Sequence, residues 1–347
     1  MSFSPLGAGE VFILGSDLNL WLAKGDYDAT GTRKFGRVPP QRQQVDGNVA
    51  AFQALDATLV IVKGTDRNLW VEHANSADRQ WIKVPPDREQ VDGGAQGFAF
   101  VDTNNIYVLG SDLILWLEHG PFGVSIPPVR EPVEDGVVSF QHFGTQTIYV
   151  LRVGGDLWLE HANPGTGKFG TAPIPREQVD GNVIAFRALD QQNVYVLGSD
   201  GNLWLEHADP GTGKFGLVPP PREQVDGNVK AFRALDQQTI YVLGSDGNLW
   251  LEHADPGTGT FGLVPPPREQ VDGNVALFRP LDQQNVFVLG SDGNLWLEHA
   301  DPGTGKFGRV PPPREQVDAN VFIPGGGFID VSEPSTPDAP EKKNLPK

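Results

Sequence analysis

The sequence predicts an all-β fold, a seven-bladed β-propeller of four-stranded antiparallel blades. Three observations predict it. The dipeptide Leu-Trp recurs seven times, with Trp at 21, 70, 116, 158, 204, 250 and 296, at steps of 49, 46, 42, 46, 46 and 46 residues. Each unit carries four short apolar or β-branched runs set off by turn residues. No stretch keeps a helical period. A fixed period of this length with four strands per unit is the mark of a propeller.

The unit around Trp250 shows the elements in order. Val229 to Leu235 reads as strand A, and Thr239 to Leu243, β-branched and apolar on both faces, as strand B. Asp246-Gly247 is a two-residue hairpin signal. Leu249 to His253 is strand C, and Asp255-Pro-Gly-Thr-Gly is a breaker-rich loop. Strand D runs near Arg268 to Val271, after prolines that suit an outer edge. A doubly apolar strand B fits a blade held between two others. Length changes concentrate in one loop: His207 to Phe215 spans eight residues, Lys24 to Phe35 eleven and His119 to Phe122 three. A variable loop on a constant frame is what a rigid scaffold produces.

Blades two to seven are placed at about 49–93, 95–136, 137–181, 183–227, 229–273 and 275–319. The first is assembled from 10–47 plus 321–331. The chain opens on a strand B, Val11 to Leu14, so the C-terminal segment is expected to supply strand A there and to close the ring. Residues 332–347 are Pro-rich and charged, and are expected to be a disordered tail.

With 27 Lys+Arg against 44 Asp+Glu the net charge is −17, and no basic cluster offsets it. Nucleic acid and anionic membranes are poor partners for such a surface. There is no cysteine, so disulfides and thiolate metal sites are excluded. The first ten residues lack a basic and an apolar region. That predicts synthesis in the cytoplasm, with non-classical export as the alternative. No apolar run is long enough to span a bilayer. Oligomeric state is not read from the sequence.

Repeated polar and aromatic residues are the candidates for function. Trp70, Trp116, Trp158, Trp204, Trp250 and Trp296 are offered either as platforms for the C–H face of a sugar or as packing between blades. Two residues on, Glu72, Glu118, Glu160, Glu206, Glu252 and Glu298 share the Trp face of the strand, to bind hydroxyls or to pair with a repeated Arg. That Arg recurs in every unit, as Arg42, Arg88, Arg130, Arg176, Arg222, Arg268 and Arg314, to latch blades or to contact a ligand. Trp81 aligns with the Phe at 35, 122, 169, 215, 261 and 307 and is read as core. One His per unit leaves metal ligands too far apart. Gly211-Thr-Gly-Lys214 lacks the Ser/Thr and the following helix of a phosphate loop. No catalytic triad or carboxylate pair is found, so the chain is read as a non-enzyme without cofactor or metal.

Gly-Ser-Asp-Gly-Asn-Leu-Trp at 198–204, 244–250 and 290–296 resembles the tectonin type of propeller repeat, found in tectonin and tachylectin proteins. The resemblance implies a lectin with about one sugar site per repeat, binding glycans or glycoconjugates on microbial surfaces. The unit here is longer, and Pro-Pro-Arg-Glu-Gln-Val-Asp-Gly has no match in that family. Three functions follow for test: a multivalent carbohydrate-binding protein, whose linked sites gain avidity; a scaffold for protein–protein contacts; and an enzyme with a site at the channel mouth. For the scaffold, blade 3 with its shortened loop and blade 4 with Arg152 in place of the repeated Gly are the candidate contact regions.

Overall fold

The computed structural model describes residues 3–7, 9–27, 33–35, 41–75, 80–81, 84–102, 104–120, 129–169, 176–216, 220–262, 264–308, 310–319 and 321. These form seven four-stranded antiparallel sheets and a small hairpin, Asp26–Tyr27 with Arg33–Lys34, in the longer loop of the first blade. There is no helix among the described residues. The sixth blade is Val229–Ala234, Thr239–Gly244, Leu249–His253 and Arg268–Asp272, strands A to D from the inside out. Each strand end lies within one residue of the sequence expectation.

Strand B is buried along Thr239 to Leu243 because it meets a neighbouring blade on each face. Tyr195 of the fifth blade shows the contact: its ring lies 6.3 Å from Phe232 and 6.4 Å, edge-on, from Phe261, both in the sixth blade. Burying such rings supplies most of the attraction between sheets, about 1.5–3 kcal/mol for each large side chain. Trp81 takes the place of Phe261 in the second blade. It is 5% exposed, edge-on to Phe12, and its indole N–H donates to the Ala57 carbonyl. It is core, as its alignment predicted.

The turn between strands B and C is longer than the two residues expected. The Gly247 N–H donates to the Gly244 carbonyl, and the Gly244 N–H to that of Asn248. Only Gly247 there has positive φ, +82°. This is a type I turn closed by a left-handed residue, not the type I′ turn that Asp-Gly suggests. Asp246 folds back to accept from the Asn248 N–H and side-chain amide.

Closure follows the expected side but by a different division of labour. In the second, fifth, sixth and seventh blades strand A begins with a Val paired to the Gly that ends strand B, as Val229 with Gly244. Three residues on comes a Phe facing the preceding blade. In the first blade Val321 makes the first contact, an antiparallel bridge to Gly15. Phe3–Gly7 supplies the rest, running beside Glu10–Leu14. Phe3 packs 6.0 Å from Phe287 of the seventh blade. Strand A of this blade is therefore shared between the two chain ends, where 321–331 was expected to form it whole. The strand B expected to open the chain is preceded by the strand Phe3–Gly7, which pairs with Glu10–Leu14. Residues 322–331 and the expected tail, 332–347, lie outside the described residues.

Candidate functional site

The repeated Trp, Glu and Arg come together on the face of each blade that looks toward the preceding blade. In the fifth blade Glu206 on strand C stands directly opposite Arg222 on strand D. The Arg222 guanidinium lies 4.1 Å over the Trp204 ring, 3.7 Å from Glu206 and 3.6 Å from Asp180 of the fourth blade. The stacking recurs in all seven blades at 4.1–4.6 Å. The reach to the preceding blade recurs as well: Arg42 to Asp318, Arg88 to Asp46, Arg130 to Asp92, Arg176 to Glu134, Arg268 to Asp226 and Arg314 to Asp272. The Arg is the interblade latch. The Arg42–Asp318 pair shows the same latch closing the seventh blade onto the first.

The opposite face carries a second latch, which sequence reasoning missed. The residue after each Arg is a Glu in all blades but the first, and on a strand it points the other way. Glu223 accepts from the Phe261 N–H of the next blade at 2.7 Å. Glu131, Glu177, Glu269 and Glu315 do the same for Phe169, Phe215, Phe307 and Phe35. Arg reaches back and its neighbour Glu reaches forward. The signal was the adjacency Arg-Glu on one strand in six of the seven units. His207 belongs to this face too, between Asn193 at 2.8 Å and Glu223 at 3.3 Å.

These contacts set the exposure of the residues offered for a sugar site. Glu72, Glu118, Glu160, Glu206, Glu252 and Glu298 are 0–1% exposed and cannot meet a ligand. The stacked Arg covers one face of each half-buried indole. Burial and the neighbouring Asp180 carboxylate push the Glu206 carboxyl up to about 9. Glu72, Glu252 and Glu298 are raised to about 9 and Glu118 and Glu160 to about 8, each by burial first and the acid of the preceding blade second. Such a group is a neutral acid at pH 7. A protonated carboxyl removes the repulsion that would arise where six buried acids face six others with one Arg at each station. The first blade has Ala23 in place of the Glu, and Arg42 still meets Trp21 and Asp318.

Toward the ring centre the blades are clamped by the fifth residue of strand A. Gln141 accepts from the Ala188 N–H at 2.9 Å and donates to its carbonyl at 2.7 Å. Gln53 accepts from the Phe100 N–H. Blades five to seven have Arg187, Arg233 and Arg279 at this position. Arg279 donates to the Phe3 carbonyl across the closure. A guanidinium has no acceptor for a neighbouring N–H. Where Arg233 and Arg279 stand, the facing residues of the next blades are Pro280 and Pro5, which have no N–H to satisfy.

One sector departs from the repeat. Six blades pair a Gly ending strand B with an Asp two residues on, and a Cβ at that Gly would lie only 2.4–2.7 Å from the carboxylate. The fourth blade has Gly154 in place of the Asp, which makes room for Arg152. Arg152 then pairs with Asp135 at 2.8 Å and Glu134 at 3.5 Å. Beside it Val153, 61% exposed, replaces a Ser or Thr, and Ile184 on the next blade is 46% exposed. Backbone bonds from Val153 to Gly136 and from Val183 to Gly155 join these segments on one face of the ring.

No family model matches the chain, and no curated protein matches it. Solved structures do. The structure of Kluyveromyces lactis Hsv2p matches with a TM-score of 0.55 at 11% identity, over 89% of this chain and 96% of that one. Prp20p from Saccharomyces cerevisiae, described with its binding to Gsp1p and histones, matches with a TM-score of 0.44 at 11% identity, over 82% and 78%. At such identity the likeness to Hsv2p bears on the fold alone.

Proposed function

We propose that this propeller is a scaffold for protein–protein contacts, and that its docking sector is the face of blades four and five around Arg152, Val153 and Ile184. The observation that carries this reading is the fate of the repeated residues. Trp, Glu, Arg and the second Glu are occupied in holding blades to one another, so their repetition follows from the architecture and needs no repeated ligand. Recognition of a particular partner then falls to what is not repeated. The fourth blade offers exposed apolar side chains where the others offer Ser-Asp or Thr-Asp, and a partner surface gains most from apolar anchors at its centre. Val153 and Ile184 are exposed, so changing them leaves the core untouched.

Cross-linked capture from native extract with the full chain tests this. One partner, enriched with the parent chain, lost with Val153→Asp plus Ile184→Asp and retained with Thr258→Asp on a distant exposed loop, is the expected result. Equal capture by all three rejects the sector. A glycan array separates the lectin reading that the tectonin-type motif implies. Binding there that survives the double substitution and falls with Trp204→Ala would favour the lectin over the scaffold.

A further inference from the structure

The wall of the central channel carries a charge pattern opposite to that of the molecule. Arg187, Lys230, Arg233 and Arg279 sit on the inner strands of three consecutive blades, Val183–Ala188, Val229–Ala234 and Val275–Pro280. These strands contain no Asp or Glu, in a chain of net charge −17. A cavity opens on this wall. Lys230 and Arg233 line it, and its apolar surface includes Ala231 and Leu277 with the rings of Phe186, Phe232 and Phe278. Other blades show that the fold does not demand cations here. The position of Lys230 is Ala50, Gln96, Val138, Ile184 or Ala276 elsewhere, and that of Arg187, Arg233 and Arg279 is Gln53, Ala99 or Gln141.

The hydrogen-bond chemistry of the wall has the same sign. The Gln clamps offer both a donor and an acceptor to the next strand, whereas the Arg clamps only donate. Arg233 donates to the Phe232 carbonyl and Arg279 to that of Phe3, and an anion complements the positive charge that these groups and Lys230 carry. Field lines from several cations in a low-dielectric cleft add at the ligand, which strengthens the effect.

We propose that the cavity on the channel wall binds a small organic anion, its carboxylate or phosphate held by Lys230 and Arg233 and its apolar body against Ala231 and Leu277. The docking sector shares the strand Val183–Ala188 with this wall through Ile184, but none of its residues lines the cavity.

Calorimetric titration of the full chain with octanoate, octyl phosphate and the uncharged octanol tests it. One equivalent of octanoate or octyl phosphate should bind, with octanol weaker by about tenfold or more. Whichever anion binds tighter identifies the head group. Lys230→Ala alone, at a position where other blades carry Ala50 or Ala276 and no clamp is lost, should leave the thermal midpoint unchanged, and Lys230→Ala with Arg233→Gln, shown to be folded by circular dichroism, is the second variant. Anion affinity should fall about tenfold or more in that variant. Absence of binding by both anions, octanol binding as tightly as octanoate, or affinity unmoved by the double substitution would each overturn the proposal.

Discussion

Arg268 reaches across a blade boundary to Asp226 at 3.4 Å while its guanidinium lies 4.1 Å over the ring of Trp250. One side chain thus joins two strands of its own blade to the blade before it. The ion pair, the buried Glu252 and the stacked indole all depend on it. Removing it leaves a part-buried carboxylate without its counter-charge.

Arg268→Ala is therefore expected to lower stability by about 2 kcal/mol, from a charge-assisted contact of about 1.5–3 kcal/mol in a partly screened setting. Arg268→Lys should recover little, because the ammonium keeps the charge but loses the flat stacking surface. A double-mutant cycle of Arg268→Ala with Trp250→Leu, read by chemical denaturation, should give a coupling of about 1 kcal/mol. A coupling near zero would remove the stacking from the latch.

The six buried glutamates set a pH dependence. Their carboxyls sit at about 8–9 in the fold and near 4.5 when the chain unfolds. Below 4.5 both states hold the proton. Between 4.5 and about 9 only the fold does, so unfolding releases protons and stability falls as pH rises through that window. Buried His142, lowered to about 4, acts in the opposite sense below its unfolded value of 6.5, because unfolding there takes up a proton. The clean interval is pH 6.5 to 9. Thermal midpoints should fall steadily across it, at a slope of about 1.4 kcal/mol per pH unit for each proton released. Glu252→Gln keeps a donor for Asp226 and has no proton to lose. It should flatten the profile and raise the midpoint at pH 8.5. A lower midpoint with an unchanged slope would mean that Glu252 is ionised in the fold.

The blade number, the four strands and the interblade Arg were legible because a strand of period two and a unit of fixed length leave their marks along the chain. Trp81 was legible as core because it aligned with six phenylalanines. The forward latch of Glu223 to Phe261 was not, since its partner is a backbone N–H and leaves no side chain to find. Nor was the burial of Glu206. An acid on a strand reads as exposed, and only the approach of the preceding blade shows that Asp180 faces it. The split of strand A between Val321 and Phe3 escaped because Phe3–Gly7 is short and contains Pro5, which argues against a central strand but is at home on an inner edge.

The turn between strands B and C gives a backbone prediction. Its left-handed position is Gly201, Gly247 and Gly293 in blades five to seven but Leu18, Arg67 and Leu113 in blades one to three, at φ of +62°, +66° and +65°. A side chain there costs about 1–2 kcal/mol, partly offset by the entropy of an unfolded glycine. Arg67→Gly should stabilise by about 0.5–1 kcal/mol, and Gly247→Ala should destabilise by about 1 kcal/mol. Arg67 is exposed and lies near Lys63, whose pKa burial and then Arg67 hold down, so losing that repulsion adds to the gain. Denaturation midpoints that move the other way would place the strain elsewhere in the turn.

The divided strand A makes the last prediction. In intact blades the first Val and the Phe are three apart, as in Val49-Ala-Ala-Phe52, Val229-Lys-Ala-Phe232 and Val275-Ala-Leu-Phe278. Val321 and Phe3 hold those two places in the first blade, and Met1-Ser2 would fill the gap at the same spacing if Val321 were followed directly by Met1. A circular permutant that ends the old chain at Val321, joins it to Met1 and opens the loop between Tyr27 and Arg33 should fold to the same ring. The permutant is still a linear chain, so its unfolded state is no more constrained than the parent's and its thermal midpoint should lie close to the parent's, while Phe3→Ala should cost the same in the permutant as Phe232→Ala, about 3–5 kcal/mol. In the parent chain Phe3→Ala should cost about as much, since Phe3 is 1% exposed and packs against Phe287. A permutant that does not fold to the same ring would show that Val321 and Phe3 do not share one strand.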